Sequence, residues 1–196
     1  MADKKPTYIR SPELLSRTES RLLIVDVQEK LVPKIFDLER MLANCRSLIQ
    51  GAKILGVPVF ATEQYPKGLG KTVSQLAELL APPAQKLRFS CAEVLDWGTG
   101  AQQTDNRFQI VVAGIEAHVC VLQTVLDLLG NGFQVYVAAD AVSSRTECDR
   151  KIALDRMAAG GATIVTTESV LFEWCEVSGT PEFKQISQLI KEREAK

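Results

Sequence analysis

The feature that most constrains the fold is a regular alternation of short apolar runs with longer segments of helical periodicity. The first run, residues 21–27 (Arg-Leu-Leu-Ile-Val-Asp-Val), is apolar at nearly every position, which is typical of a strand buried on both faces. Residues 38–55 then place apolar side chains at helical spacing, and Gly56 ends that pattern. Strand–helix alternation of this kind predicts right-handed crossovers and a mostly parallel sheet covered on both faces.

The alternation continues along the rest of the chain. It predicts further strands at 57–61, 85–89, 108–113, 133–139 and 162–165, and further helices at 72–80, 119–129, 149–159, 169–174 and 181–194. No repeat, low-complexity tract or linker interrupts the pattern. We therefore predict a single α/β domain over residues 14–194, a three-layer αβα sandwich with a roughly six-stranded, mostly parallel sheet.

Charge and hydropathy narrow the range of partners. The chain has 23 basic and 24 acidic residues, interspersed without a basic stripe, so we expect neither nucleic acid nor a membrane as a partner. Its longest apolar runs are too short to span a bilayer. The first residues, Met-Ala-Asp-Lys-Lys-Pro, lack the apolar stretch of a secretory signal. This predicts a cytoplasmic protein and leaves a mitochondrial location open.

Cysteine and histidine usage limits the possible metal sites. The cysteines are odd in number and widely spaced, and no Cys-x-x-Cys pair occurs, which argues against a disulfide scaffold or a thiolate zinc site. His118 is the only histidine. We therefore expect no metal and no cofactor, and any of the reduced thiols is a candidate nucleophile. The five cysteines are Cys45, Cys91, Cys120, Cys148 and Cys175.

Polar residues follow the predicted strands at the edge where such sheets bind ligands, which is the carboxyl end. Asp26 ends the first strand, residues 63–65 follow the second, and Lys86 lies near the third. Residues 114–120 follow the fourth strand, and Asp140 ends the fifth. We expect all of these positions to converge on one edge of the sheet.

Three of these residues have both a chemical and a purely structural interpretation. Cys120 begins a predicted helix, where unpaired N–H groups and the helix dipole would lower its pKa, but a cysteine there also fits as a small buried hydrophobe. Asp26 follows four apolar residues, so it needs a cation or a proton, or else it caps the strand end. Lys86, close to Arg88, taken alone resembles an ordinary surface lysine. Position leaves these alternatives open.

Five segments together resemble the isochorismatase-like hydrolases. They follow the family's order from about Leu14 to the C-terminal helix. Residues 62–70 look specifically like the isochorismatase domain-containing proteins and their YcaC-type bacterial relatives. The segments are Leu-Leu-Ile-Val-Asp-Val-Gln (22–28), Thr-Glu-Gln-Tyr-Pro-Lys-Gly-Leu-Gly (62–70), Lys-Leu-Arg-Phe-Ser (86–90), Ala-Gly-Ile-Glu-Ala-His-Val-Cys-Val (113–121) and Asp-Ala-Val-Ser-Ser-Arg (140–145).

The resemblance implies a catalytic triad of Asp26, Lys86 and Cys120. It also implies a non-proline cis peptide bond between Ile115 and Glu116, and an oxyanion hole made by the backbone amides of Glu116 and Cys120. The implied reaction is attack by the cysteine on a small amide-type substrate, with a thioester acyl-enzyme and no metal. Relatives form dimers and larger rings, so the resemblance also implies a homo-oligomer.

Departures from other members of the family narrow the reaction. Nicotinamidases hold a metal with an aspartate and two histidines, which a chain with only His118 cannot assemble. True isochorismatases cleave a vinyl ether and lack the cysteine, so Cys120 favours hydrolysis of a C–N bond. Gln28, Tyr65 and Phe89 are predicted walls of a pocket for a small molecule. The alternative hypothesis is a catalytically idle scaffold or protein-interaction module that keeps the fold and the triad by descent.

Overall fold

The first apolar run of the sequence forms the strand β1, near the middle of the sheet. In the computed structural model, which describes residues 8–194, β1 spans Ser20–Val25 and is buried along its whole length. Leu22 and Ile24 pack into one apolar cluster, whereas Leu23 and Val25 pack into a second cluster on the opposite face. Alternate side chains of a strand point to opposite faces, so β1 is covered on both sides.

The other strands extend the sheet from β1 in both directions. Their order is β3-β2-β1-β4-β5-β6, and every neighbouring pair is parallel. This confirms the predicted fold class. The strands are β2 (Val59–Gln64), β3 (Ala84–Lys86), β4 (Gln109–Gly114), β5 (Gln134–Val142) and β6 (Thr163–Val165).

Helices cover both faces of the sheet and complete the three layers. Side chains of α1, α7 and α8 pack into the cluster that holds Leu22, and those of α5 and α6 pack into the cluster that holds Leu23. A π-helical turn at Ala117–Val121 leads into α5. The helices are α1 (Leu38–Leu55), α2 (Pro66–Leu69), α3 (Ser74–Ala77), α4 (Ala92–Leu95), α5 (Leu122–Gly130), α6 (Glu147–Ala159), α7 (Thr167–Cys175) and α8 (Pro181–Glu194).

The second strand lies further along the chain than its predicted range of 57–61. The amide of Val57 donates to Ala52 at the end of α1, and Pro58 has no N–H to donate, so β2 begins at Val59. It continues to Gln64 because residues 62–64 pair with β3. Glu63 and Gln64, which were predicted to follow the strand, therefore lie on it.

Three other predicted boundaries were also wrong. The third strand ends at Lys86 instead of residue 89, because the chain turns so that later carbonyls accept from the Lys86 amine. The helix predicted at 72–80 is reduced to Ser74–Ala77, since Thr72 instead bonds to the carboxylate of Glu63. Asp140 does not end the fifth strand but lies within β5, which runs to Val142.

Within residues 8–194, no helix combines the length and apolar character needed to cross a bilayer. The N-terminal residues on which the predicted cytoplasmic location depends lie outside this range. The extent of the predicted domain, residues 14–194, likewise stays a prediction.

Gly114 allows the ends of β1 and β4 to approach each other closely. Its φ of 116° lies in the region that favours glycine. A Cβ at this position would lie 2.2 Å from the carbonyl oxygen of Val25 and 2.6 Å from its nitrogen. Both are backbone atoms that cannot rotate away, so no side chain fits here.

We expect Gly114→Ala to lower the free energy of unfolding by about 2–4 kcal/mol, because the new methyl group combines backbone strain with overpacking. Urea unfolding measures this loss. Gly130→Ala is the matched control, since a Cβ at Gly130 meets nothing within 4 Å and its φ is not positive. Equal stability of the two variants would contradict the close approach described for Gly114.

Candidate active site

The register of the sheet aligns the predicted site residues at its carboxyl edge. Val25 lies opposite Thr62 of β2 on one side and Gly114 of β4 on the other, and Gln64 lies opposite Lys86 of β3. Because parallel strands end at the same edge, the residues that follow them meet there. The structure thus brings together side chains from segments that are far apart in the sequence.

Asp26 and Lys86 form a buried ion pair at this edge. The Lys86 Nζ lies 2.6 Å from the Asp26 Oδ2, and the two side chains are 1% and 0% exposed. Removing two charges from water is costly, and such a pair persists only where further hydrogen bonds satisfy both groups. The structure supplies these bonds on both sides of the pair.

The Lys86 ammonium has an acceptor for each of its N–H groups. It donates to Gln64 Oε1 at 2.7 Å and to the carbonyl of Phe89 at 2.8 Å, besides its bond to Asp26. The carbonyl of Arg88 lies further away, at 3.3 Å. Lys86 is therefore not the surface lysine that its sequence neighbours suggested, but a fixed positive charge beneath the site.

Asp26 is held by an unusual backbone conformation. Its φ of 50° is left-handed, which aspartate tolerates better than most residues. The Thr62 hydroxyl donates to Asp26 Oδ1 at 2.8 Å, so one carboxylate oxygen binds Thr62 and the other binds Lys86. The cation that buried Asp26 was predicted to need is therefore present.

Cys120 lies in the π-helical turn after β4, and only 5% of its surface is exposed. Burial raises the pKa of its thiol, and the negative charge of Asp26 raises it further, against an opposing effect of Lys86. The prediction of a lowered pKa at a helix N-terminus was therefore wrong, because burial and a neighbouring carboxylate outweigh the helix dipole.

The turn between β4 and Cys120 contains a cis peptide bond and is held by backbone hydrogen bonds. The peptide bond between Ile115 and Glu116 is cis. The amide of Ala117 donates to the Ser143 carbonyl at 2.7 Å, and the amides of Val119 and Val121 donate to the Glu116 carbonyl at 3.1 and 3.2 Å. These bonds fix the turn on which the amides of Glu116 and Cys120, the predicted oxyanion hole, are placed.

Two charged or titratable side chains of this turn point to neighbouring elements. The Glu116 carboxylate accepts from Arg145 Nε at 2.6 Å. His118 Nδ1 lies 3.0 Å from the Ser144 hydroxyl. His118 thus contacts the segment after β5.

The three predicted pocket residues have different environments. Gln28 is fully buried, and its side-chain amide bonds the backbone of Gln64 and Gly70. It therefore holds the loop after β2. Tyr65 and Phe89 are 50% and 51% exposed, and of the two only Tyr65 lines the neighbouring groove. A Cβ at Gly68 would lie 2.2 Å from the Tyr65 ring, so the ring rests directly on that glycine.

A surface groove of about 640 Å³ lies next to the ion pair. Tyr65 and Leu87 supply apolar surface, and Lys67, Arg88 and Glu93 supply charge. Of the three residues of the predicted triad, Lys86 lines this groove. Asp26 and Cys120 are not part of its lining.

Sequence reasoning missed the residues that support the triad. Thr62 and Gln64 bond Asp26 and Lys86, and Thr124 accepts from the Cys91 amide and donates to the Cys120 carbonyl. Thr62 and Gln64 lie in a segment that the motifs had singled out. Thr124 gave no signal beyond its position four residues after Cys120, which places it on the same face of the helix.

Among the described residues there is no cluster of three or more histidine, cysteine, aspartate or glutamate side chains with the geometry of a metal site. The charge on Asp26 is instead matched by Lys86.

Comparison with known proteins places these features in a family. The family model described as Isochorismatase domain matches residues 20–169. Isochorismatase domain-containing protein 1 of Danio rerio is 40% identical over 181 residues, which cover 90% of this chain and 62% of that protein. Isochorismatase domain-containing protein 2 of Danio rerio is 40% identical over 176 residues, 90% of this chain and 89% of that protein.

Solved structures share the fold. A structure described as MAR1 ribonuclease from Caenorhabditis elegans superposes with a TM-score of 0.83 at 39% identity, covering 91% of this chain and 92% of that one. The YcaC gene product of Escherichia coli, described as an octameric hydrolase of unknown specificity, has a TM-score of 0.82 at 24% identity. It covers 95% of this chain and 96% of that one.

We expect Lys86→Met to lower the free energy of unfolding by about 3–5 kcal/mol, because it leaves a buried carboxylate without its cation. Adding Asp26→Asn to that variant should recover part of the loss. Chemical denaturation of the single and double variants measures the coupling. Arg88→Met is the matched control, since its ion pair with Glu93 is exposed and contributes little. A loss no larger than that of the control would refute a buried charge pair.

The raised pKa of Cys120 predicts how its alkylation depends on pH. Below the pKa the thiolate fraction rises about tenfold per pH unit, so the rate of labelling by iodoacetamide should keep climbing from about pH 7 to about pH 9 without a plateau. Mass spectrometry of the labelled peptides measures the rate, and labelling of exposed Cys148 shows that the reagent is active. A plateau near neutral pH would show a lowered pKa instead.

Proposed function

The chain belongs to the isochorismatase domain family, and from this premise we propose that it is a metal-independent cysteine hydrolase of small amides. Family membership supports the general class of hydrolase. The finer proposal depends mainly on one observation, that the buried Asp26 carboxylate binds Lys86 and is near enough to the thiol of Cys120 for its charge to raise the pKa of that thiol. A carboxylate placed in this way can accept a proton from the thiol.

In the proposed first step, Cys120 attacks the carbonyl carbon of the substrate while Asp26 takes the thiol proton. Because the pKa of the thiol is raised, its proton stays in place until a substrate is bound. Proton transfer then accompanies the formation of the C–S bond, which is general-base catalysis. Lys86 remains charged and holds the carboxylate in position.

The attack turns the carbonyl oxygen into an oxyanion. We assign its stabilisation to the backbone amides of Glu116 and Cys120, on the turn that begins with the cis peptide bond. Amides fixed before the reaction stabilise charge that develops in the transition state at no cost of reorganisation. The bonds of Ala117, Val119 and Val121 support this role by holding the turn rigid.

The intermediate then collapses with loss of the amine. Asp26 returns its proton to the leaving nitrogen, and a thioester remains on Cys120. Water attacks the thioester while Asp26 accepts its proton, and Asp26 then returns that proton to the departing sulfur of Cys120. Each proton moves between the substrate, water, the sulfur and a single carboxylate, so the cycle requires no metal ion.

The environment of the thiol favours a small substrate. Cys120 is only 5% exposed, so either a compact molecule or a local opening is needed to reach the sulfur. Tyr65 and Phe89, half exposed near Lys86, offer apolar surface at this edge and are our candidates for the pocket walls. Gln28 is assigned to holding the loop that carries Tyr65.

Oligomerisation and location complete the proposal. The E. coli YcaC product is described as octameric, and we propose that this chain also forms a homo-oligomer. A cytoplasmic location remains our expectation from the sequence.

Two other activities compete with amide hydrolysis. The structure from C. elegans is described as a ribonuclease, which makes RNA a second candidate substrate, although basic and acidic residues nearly balance in this chain. The alternative from another class is an idle scaffold or protein-interaction module. Its buried triad would then persist without turnover.

A panel of small primary and secondary amides, with a single-stranded RNA oligonucleotide included, tests the proposal. We expect wild type to hydrolyse at least one amide, and Cys120→Ala to lose at least about 10³-fold in kcat/KM because the nucleophile is gone. Asp26→Asn should cause a loss of similar size. Product formation is measured directly by mass spectrometry.

Cys148→Ala is the control, because it removes an exposed thiol and should leave the rates unchanged. Amide hydrolysis that survives in Cys120→Ala would refute the mechanism. Turnover of RNA but of no amide would favour the ribonuclease alternative, and no turnover of any substrate would favour the idle scaffold.

A further inference from the structure

A second thiol, Cys91, lies beside Cys120 and has no part in the proposed reaction. Cys91 is fully buried just before α4, in the same apolar cluster as Cys120. The Thr124 hydroxyl joins the two residues through their backbones, since it accepts from the Cys91 amide at 2.9 Å and donates to the Cys120 carbonyl at 2.6 Å. One oxygen atom therefore holds the two cysteines next to each other.

The side chains of the two cysteines also converge. The Cys91 Sγ lies 3.3 Å from the Thr62 hydroxyl, which bonds Asp26 Oδ1. The charge of the same carboxylate also acts on the thiol of Cys120 and raises its pKa. The hydrogen bonds of Thr124 and this shared carboxylate both indicate that the two thiols lie close to each other.

The hydrogen bonds also define a path for the proton of Cys91. The Asp26 carboxylate can only accept, so the Thr62 hydroxyl uses its single proton in that bond. The remaining contact between Thr62 and Cys91 must then have the thiol as donor. Cys91 can accordingly pass its proton through the hydroxyl to Asp26.

We propose that Cys91 is a resolving thiol, which forms a disulfide with Cys120 after a peroxide has oxidised Cys120. This role concerns the regulation of the proposed active site, and it rests on the proposed function only for its effect on turnover. The disulfide would block the nucleophile reversibly. It would also stop oxidation before the irreversible sulfinic acid.

The chemistry balances with hydrogen peroxide as the oxidant. In the first step Cys120 loses its proton to Asp26, and its sulfur attacks one peroxide oxygen to give a sulfenic acid. The proton goes to the departing hydroxide, which leaves as water. In the second step the sulfur of Cys91 attacks the sulfenic sulfur, the S–O bond breaks, and a second water leaves with the proton of Cys91. Two thiols lose two electrons, and one peroxide becomes two waters.

Accessibility assigns different roles to the two thiols. Cys120 has a small exposed surface, and hydrogen peroxide is close to water in size, so it meets this sulfur first. Cys91 has no exposed surface, so peroxide does not reach it directly, and it reacts instead with the sulfenic acid formed beside it.

Treatment of the intact protein with hydrogen peroxide, followed by mass spectrometry without reduction, tests the proposal. We expect wild type to lose about 2 Da as two hydrogen atoms are removed, and a Cys91–Cys120 cross-linked peptide to appear after digestion. Dithiothreitol should restore the original mass. This readout needs no substrate, so it is independent of whether the protein hydrolyses amides.

Cys91→Ser, which keeps a donor toward Thr62, and Cys91→Ala should both form no cross-link and should accumulate sulfinic acid on Cys120 at least about tenfold faster than wild type. Cys148→Ser is the matched control and should behave as wild type. Oxidation of wild-type Cys120 to sulfinic acid without the cross-link would overturn the proposal. Linkage of Cys120 to any other cysteine would do the same.

Discussion

The buried ion pair between Asp26 and Lys86 is the interaction on which the site depends. Neither charge would be stable at this depth alone, and each partner requires the other together with hydrogen bonds from β2 and the turn after β3. The pair fixes a carboxylate near the thiol of Cys120, and burial together with this negative charge raises the pKa of that thiol. In the proposed mechanism, the carboxylate that disfavours the thiolate is also the group that accepts its proton.

The backbone carries as much of the geometry as the side chains. Asp26 adopts a left-handed conformation directly after β1, and Gly114 brings the end of β4 against Val25 where no Cβ fits. The turn that follows is joined to β1 by the hydrogen bond from the Ile115 amide to the Val25 carbonyl, and it carries Cys120. A single methyl group added at Gly114 would therefore displace the turn that holds the proposed nucleophile.

The fold could be predicted from the sequence because its signals are local. Continuous apolar strands such as β1 and periodic helices such as α1 can be recognised without knowledge of the rest of the chain. The predicted boundaries of β2 and β3 were wrong because the true boundaries depend on pairing between distant strands and on the carbonyls that turn toward Lys86. Such contacts leave no periodicity in the sequence.

The motifs singled out Asp26, Lys86 and Cys120 as candidate site residues. That they lie close together was expected from the rule that parallel strands end at one edge of the sheet. The protonation of Cys120 could not be predicted in this way, because it depends on how deeply the turn is buried and on the direction of the Asp26 carboxylate. Thr62 and Thr124 are ordinary residues in the sequence. Their role becomes visible only in the folded structure, where Thr62 bonds the Asp26 carboxylate and Thr124 bonds the Cys120 carbonyl.

The position of Lys86 at the end of a three-residue edge strand has a consequence for the mechanics of the sheet. So short a ladder contributes few backbone hydrogen bonds, and an edge strand is ordinarily the first part of a sheet to fray. Here, fraying of β3 would remove Lys86 and leave the buried Asp26 carboxylate without its counterion. Because separating the two charges is unfavourable, the ion pair holds β3 against β2. The edge strand is therefore stabilised by a buried charge pair more than by its short ladder of backbone hydrogen bonds.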